Sequence, residues 1–247
     1  MENIKTIKDN FKIYAQNPLE EYRADSFFTK EPETVAWIDS FNSDDIFFDI
    51  GANVGIYSLY ATIRHSCKTY SFEPYHKNYF RLLDNISLNN VQDICLPFLC
   101  GLYSQTKIDT FYVSDDRTSS SGHQVGTDVD EHGNKFIALQ KYPLFVFALD
   151  DFIKLYNIPF PNHIKIDVDG VEDEIIKGMQ EILANPSLKS VSIEINNGSG
   201  DRIDVKDIFK NFGFSTDNSF NVHPNHSRFR RAQNKSSVCE NIVFSKK

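Results

Sequence analysis

The chain has 247 residues, 40% of them hydrophobic, with 21 Phe and 11 Tyr, which is enough apolar material for one large domain with additions. Its net charge of −8 sets up a field that repels phosphate backbones and anionic lipid, which argues against nucleic acid and membrane surfaces as partners. The four cysteines form no CxxC pair, no stretch approaches the ~18 apolar residues of a membrane span, and the charged N-terminus lacks the apolar run of a secretory signal, so the expectation is a cytoplasmic protein with reduced thiols.

In chain order, Ile4, Ile7, Phe11 and Tyr14 recur at helical spacing and predict an amphipathic helix within residues 1–28. "KEPETVAWIDSF" predicts a second, with Pro32 in its first turn. Together they suggest an N-terminal helical extension over 1–42, ahead of a domain over 43–247. That domain opens with the strand "DIFFDI", a glycine turn, and the helix "GIYSLYATIRH". Next come the strand "KTYSFE", the helix "YHKNYFRLLDNISLNN" and the strand "DICLPFLC", which Pro97 marks as an edge or a bulge. Residues 101–149 break the alternation. "KIDTFYVS", "KFIALQ" and "LFVFAL" read as strands between turns, hence an inserted β-rich region. The alternation then resumes with the helix "LDDFIKLYN", capped by Asp150, and the strand "HIKIDV". The helix "VEDEIIKGMQEILA", the strand "SVSIEI", a helix stopped by Gly213 and a last strand "ENIVFSK" follow. Strands alternating with helices of this length imply βαβ units and a mostly parallel, doubly wound sheet.

Four polar strand ends carry the chemistry. Gly51 and Gly55 lie in a tight turn where a helix begins, a place suited to an anionic or carboxylate group. Asn53 replaces the second glycine of a dinucleotide fingerprint, so a nicotinamide cofactor fits poorly. Glu73 ends the second strand, 22 residues after Gly51, where an acid in such folds grips ribose hydroxyls. "KIDVDGVEDE" places Lys165, Asp167 and Asp169 on one strand parity, with only Asp169 beyond the strand end, and Glu172 opens the next helix. "SIEIN" brings Glu194 and Asn196 to the neighbouring strand end.

These stretches resemble the FkbM family of S-adenosylmethionine-dependent methyltransferases. The resemblance rests on "FFDIGANVGIYSL", "FEP" with "NYFRLLDNISLNN", "ALDDF", "IKIDVDGVEDEIIKGM" and "SIEI", spanning roughly residues 45–196. Asp169 stands where the family usually carries Glu. The resemblance implies a class I methyltransferase fold, Rossmann-like, with seven strands of which the last is antiparallel. It implies S-adenosylmethionine as cofactor, its methionine part held by Asp49 and by the backbone of Gly51, Ala52, Asn53 and Gly55. Glu73 would take the ribose, with Pro74 beside it, and the turn at Gly101 and Leu102 would border the adenine. Asp167 would lie near the methyl group. Family members commonly methylate hydroxyls of sugars and other small molecules.

The leading expectation is therefore O-methyl transfer to a hydroxyl of a sugar or glycan precursor. Asp167, Glu194 and His223 are the candidate bases. Phe111, Tyr112 or Phe229 would cover the sugar's C–H faces, and Arg228, Arg230 or Arg231 would meet phosphates of a nucleotide-linked acceptor. Two alternatives stand beside it. One is a metal-assisted transferase of a non-sugar acceptor, with Asp167, Glu194 and Asn196 around a hard cation. The other is a module that binds the cofactor without catalysis.

Overall fold

The computed structural model describes residues 3–8, 11–130, 132–196, 205–220 and 239–246. It begins with a β-hairpin, β1 (Ile4–Ile7) and β2 (Phe11–Tyr14), paired Ile4 to Tyr14 and Ile7 to Phe11. The expected helix over these residues is thus corrected. Phe11 and Ile13 point inward while Lys12 points out, a period of two that a reading from Ile4, Ile7, Phe11 and Tyr14 passes over. Helix α1 (Pro18–Lys30) follows, capped by Asn17, whose side chain accepts from the Leu19 and Glu20 N–H groups. Helix α2 (Pro32–Ile38) starts on Pro32.

The central elements then run β3 (Ile46–Ile50), α3 (Ile56–His65), β4 (Lys68–Phe72), α4 (His76–Leu88) and β5 (Cys95–Phe98). The insertion contributes β6 (Gly101–Leu102), β7 (Lys107–Val113), β8 (Gln124–Val125) and β9 (Gln140–Phe147). After it come α5 (Leu149–Tyr156), β10 (His163–Ile166), α6 (Glu172–Lys177), α7 (Gln180–Ala184) and β11 (Ser190–Asn196). The C-terminal part supplies α8 (Val205–Asn211), β12 (Phe214–Thr216) and β13 (Cys239–Lys246).

Among the described residues, seven strands form one sheet in the order β12-β13-β11-β10-β3-β4-β5. The β11-β10-β3-β4-β5 pairings are parallel, and β13 runs antiparallel to both β11 and β12. Pro97 sits in the edge strand β5, where its missing N–H costs no ladder bond. Strand parity sorts the core into two layers. Phe48 and Ile50 face one side, with Phe152, Ile175, Met179 and Phe209. Phe47 faces the other, with Trp37, Leu59 and Tyr60.

The insertion is a four-stranded sheet ordered β6-β9-β7-β8. Three readings change here. Gly101 and Leu102 form a short strand parallel to β9, not a turn. "KFIALQ" is irregular until Gln140, because Ile137 at 93% exposure has nothing to pack against. Asp150 caps a different helix from the one expected, its carboxylate accepting from the Glu181 and Ile182 N–H groups of α7. Cys67, Cys95 and Cys100 are buried free thiols. Among the described residues no helix is long and apolar enough to cross a membrane.

Candidate functional site

The site is built where β3 and β10 leave the sheet. Gly51 takes φ +80° and Gly55 φ +85°, backbone shapes that favour glycine. The Gly51 and Ala52 N–H groups both donate to the Phe72 carbonyl at 3.0 Å, which folds the turn across the end of β4. On the other side the Asp167 N–H donates to the Ile50 carbonyl. The two chain exits lie so close that a Cβ built on Gly51 would stand 2.9 Å from the Asp167 carbonyl carbon and closer still to its oxygen.

Glu73 follows β4 and is buried at the rim. Its carboxylate accepts from the Asn53 N–H at 2.8 Å and the Tyr75 N–H at 2.9 Å. Burial lifts its pKa to about 7, a rise that those donors only partly offset. Glu73 opens into a cavity of about 180 Å³ that runs along the strand ends past Gly51 to Asp167 and Glu194. Toward the insertion its wall is apolar, with Phe72, Leu102, Phe111 and Val125. A loop of the insertion roofs it. The Ser120 carbonyl accepts from the side chains of Asn53 and Asn78, and the Gly122 N–H donates to Asp169. His123 accepts the Ser114 N–H on Nδ1, so its Nε2–H faces the Ser120 hydroxyl at 3.1 Å. Burial drives its titration down to about 4 and keeps the ring neutral.

The far end of the cavity is densely charged. Lys165, almost fully buried on β10, donates to Asp167 at 2.5 Å and lies over the Tyr57 ring at 4.7 Å. Burial alone would raise the Asp167 pKa, but Lys165 and then Lys30 hold it at about 2. Lys30, the last residue of α1, pairs with the buried Glu31 at 2.8 Å, and the Thr34 hydroxyl donates to that same carboxylate at 3.3 Å. Glu194, from β11, faces Asp167 and Glu31. Burial and then those two negative charges push its carboxyl up to about 8. No hydrogen bond or ion pair ties Glu194 to another side chain among the described residues.

Gly51, Asn53, Glu73, Pro74, Gly101, Leu102, Asp167 and Glu194 all line the one cavity. Ala52 and Gly55 shape the turn behind it, and Gly55 leaves room for Leu82. Asp49 does not reach the cavity. It shares strand parity with Phe47, so its carboxyl is buried in the α3 layer against the Ser58 hydroxyl at 2.5 Å, and burial raises its pKa. Its expected part in holding methionine is corrected accordingly. Asp167 sits one residue past β10, not inside it, because pairing stops at Ile166. Glu172 accepts from the Gly170 N–H and stabilises the turn into α6. His223, Phe229, Arg228, Arg230 and Arg231 lie outside the described residues. Tyr112 is absent from the cavity wall and carries Lys141 over its ring instead. Among the described residues no group of three or more His, Cys, Asp or Glu is placed to hold a metal ion.

The basic and imidazole side chains of the wall, Arg23, Lys30 and His123, are not marked as site residues by the sequence reading. The signal for the first two is their seven-residue spacing, which puts both on one face of a helix. Nothing local marks His123, which long-range pairing of β7, β8 and β9 delivers.

A family profile described as the Methyltransferase FkbM domain matches residues 49–218. Hexuronic acid methyltransferase AglP of Haloferax volcanii is 27% identical over 167 residues, covering 68% of this chain and 61% of that protein, so the match spans under two thirds of the relative. Methyltransferase 1 of Beauveria bassiana is 24% identical over 233 residues, covering 85% of this chain and 88% of the relative. Among solved structures, a methyltransferase FkbM from Methylobacillus flagellatus KT superposes with a TM-score of 0.54 at 15% identity, over 94% of this chain and 55% of that one. P. horikoshii TYW2 in complex with MeSAdo gives 0.51 at 11% identity, over 99% and 70%. Polar strand ends around a glycine turn, the strand order and the family match over most of the length agree: the chain belongs to the FkbM methyltransferase family and has the class I, Rossmann-like methyltransferase fold.

Proposed function

We propose that the protein is an S-adenosylmethionine-dependent O-methyltransferase acting on a hydroxyl of a sugar or glycan precursor. The observation that carries this reading is that Glu73 and Glu194 open into one cavity at opposite ends of the Gly51 turn. The residues present suit the cofactor. Glu73, anchored by two N–H groups, has acceptor capacity left for a ribose diol. The methionine part would lie along the backbone of Gly51 to Gly55, a turn that glycine lets close against the Asp167 carbonyl. The apolar wall around Gly101, Leu102, Phe72 and Phe111 suits adenine.

When bound, S-adenosylmethionine supplies an electrophilic methyl group. The work left to the chain is to orient a hydroxyl and take its proton. Glu194 is the residue placed for that. Its carboxylate is unoccupied by other described side chains, and its raised pKa makes it a better base near neutral pH than Asp167, which Lys165 holds ionised. Glu194 accepts the proton, and Asp167 stays ionised beside it.

A sugar acceptor is supported by the Haloferax relative, a hexuronic acid methyltransferase, and by the polar roof of Ser120, Ser121 and His123. Labelled S-adenosylmethionine offered with panels of nucleotide sugars, free glycans and phenols is expected to label a sugar hydroxyl. Label on phenols alone would remove the sugar reading and leave methyl transfer standing. The cofactor half is tested separately. Glu73→Ala is expected to weaken S-adenosylmethionine binding by roughly 1.5–3 kcal/mol with the fold intact. An unchanged dissociation constant by calorimetry would take Glu73 out of the site.

A further inference from the structure

The family match starts at residue 49, yet the cavity wall near Gly51 and Asp167 includes Arg23 and Lys30 from α1. The two cations lie seven residues apart, about two helical turns, on one face of that helix. Both face the same stretch of cavity. Lys30 stays 43% exposed while its partner Glu31 is 8% exposed. Glu31 takes one of the three N–H donors of the Lys30 ammonium, which leaves donors for the cavity. Arg23 is fixed from the other side. Its Nε donates to the Ser119 hydroxyl at 2.6 Å and its Nη2 to the Ser119 carbonyl at 3.1 Å. No carboxylate pairs with Arg23 among the described residues, although Lys165 and Lys30 each have one.

Next to these cations stands Asp167, whose side chain is 30% exposed and opens to the cavity. An ionised acid beside two cations with unused donors is the complement of a zwitterion. We propose, resting on the cofactor reading above, that this corner recognises the amino-acid end of S-adenosylmethionine. In this arrangement Arg23 and Lys30 hold its carboxylate and Asp167 receives its ammonium. The N-terminal segment then supplies half of the cofactor's head-group site. It also supplies the cation that the turn over residues 51–55 lacks.

The test compares S-adenosylmethionine with decarboxylated S-adenosylmethionine, which lacks only the carboxylate, by calorimetry and without any acceptor. The wild-type protein is expected to prefer the carboxylated ligand by about tenfold or more, the scale of a charge-assisted bond. Arg23→Gln and Lys30→Gln are each expected to erase most of that preference while leaving the decarboxylated ligand within about threefold of wild type. That second arm also shows that the pocket remains folded, and Lys30→Gln keeps a donor for Glu31. Equal wild-type affinity for both ligands would overturn the proposal and point the two cations at an anionic acceptor. Parallel losses for both ligands in the variants would overturn it too, as a merely structural role. Failure of the wild-type protein to bind either ligand would instead sink the cofactor reading on which the proposal rests.

Discussion

Gly51→Val is expected to abolish S-adenosylmethionine binding, with no heat detectable by calorimetry at ligand concentrations that saturate the wild type. Two costs combine at this position. The left-handed backbone disfavours any side chain by about 1–2 kcal/mol, and a β-branched one more. In addition, the new Cβ runs into the main-chain carbonyl of Asp167, a rigid neighbour that cannot rotate away as a side chain would. Either β3 and β10 separate or the turn flips, and both outcomes disturb the wall on which Glu73 and Asp167 sit. Circular dichroism would show whether the helices survive. A folded Gly51→Val that binds the cofactor normally would place the ligand elsewhere.

Glu194→Gln is expected to cut kcat by about 10²–10⁴, the usual contribution of a positioned base, while cofactor affinity changes little. The sign of the pH dependence follows from its titration. A base must be unprotonated, and burial together with Asp167 and Glu31 lifts Glu194 to about 8. Activity of the wild type should therefore rise with pH through about 8 and level off above it. The amide variant should show a flat residual rate across that range. Asp167→Asn would behave differently, because it strips the buried Lys165 of its partner and so lowers cofactor affinity and stability together with rate. Persistence of the same rising limb in Glu194→Gln would assign the titration to another group.

Much of this site is legible along the chain because it sits at strand ends, where an apolar run stops on a polar residue. Glu73, Asp167 and Glu194 each follow such a run, and Gly51 announces the turn between them. Legibility fails where neighbours in space are far apart in sequence. Asp49 looks like a rim residue by position, but alternation along β3 sends it to the Ser58 side. Phe11 and Ile13 satisfy a strand as well as Ile7 and Phe11 satisfy a helix, and only the pairing of β1 with β2 decides between them. Arg23 and His123 enter the wall from segments about 100 residues apart, through a loop whose course depends on Asn53, Asn78 and Asp169 together.

The hairpin and first two helices share one apolar layer with the central sheet: Phe11, Phe27 and Trp37 pack in the same cluster as Phe47, Leu59 and Tyr60. A chain begun at the family boundary would present that aromatic surface to water, an aggregation hazard in itself. Unfolding should accordingly be a single cooperative event in which amide protons of α1 and β3 exchange at comparable rates. The part of the molecule outside the family match and the part within it would then melt together, so mutations in the first forty residues would be felt as losses of the whole enzyme's half-life.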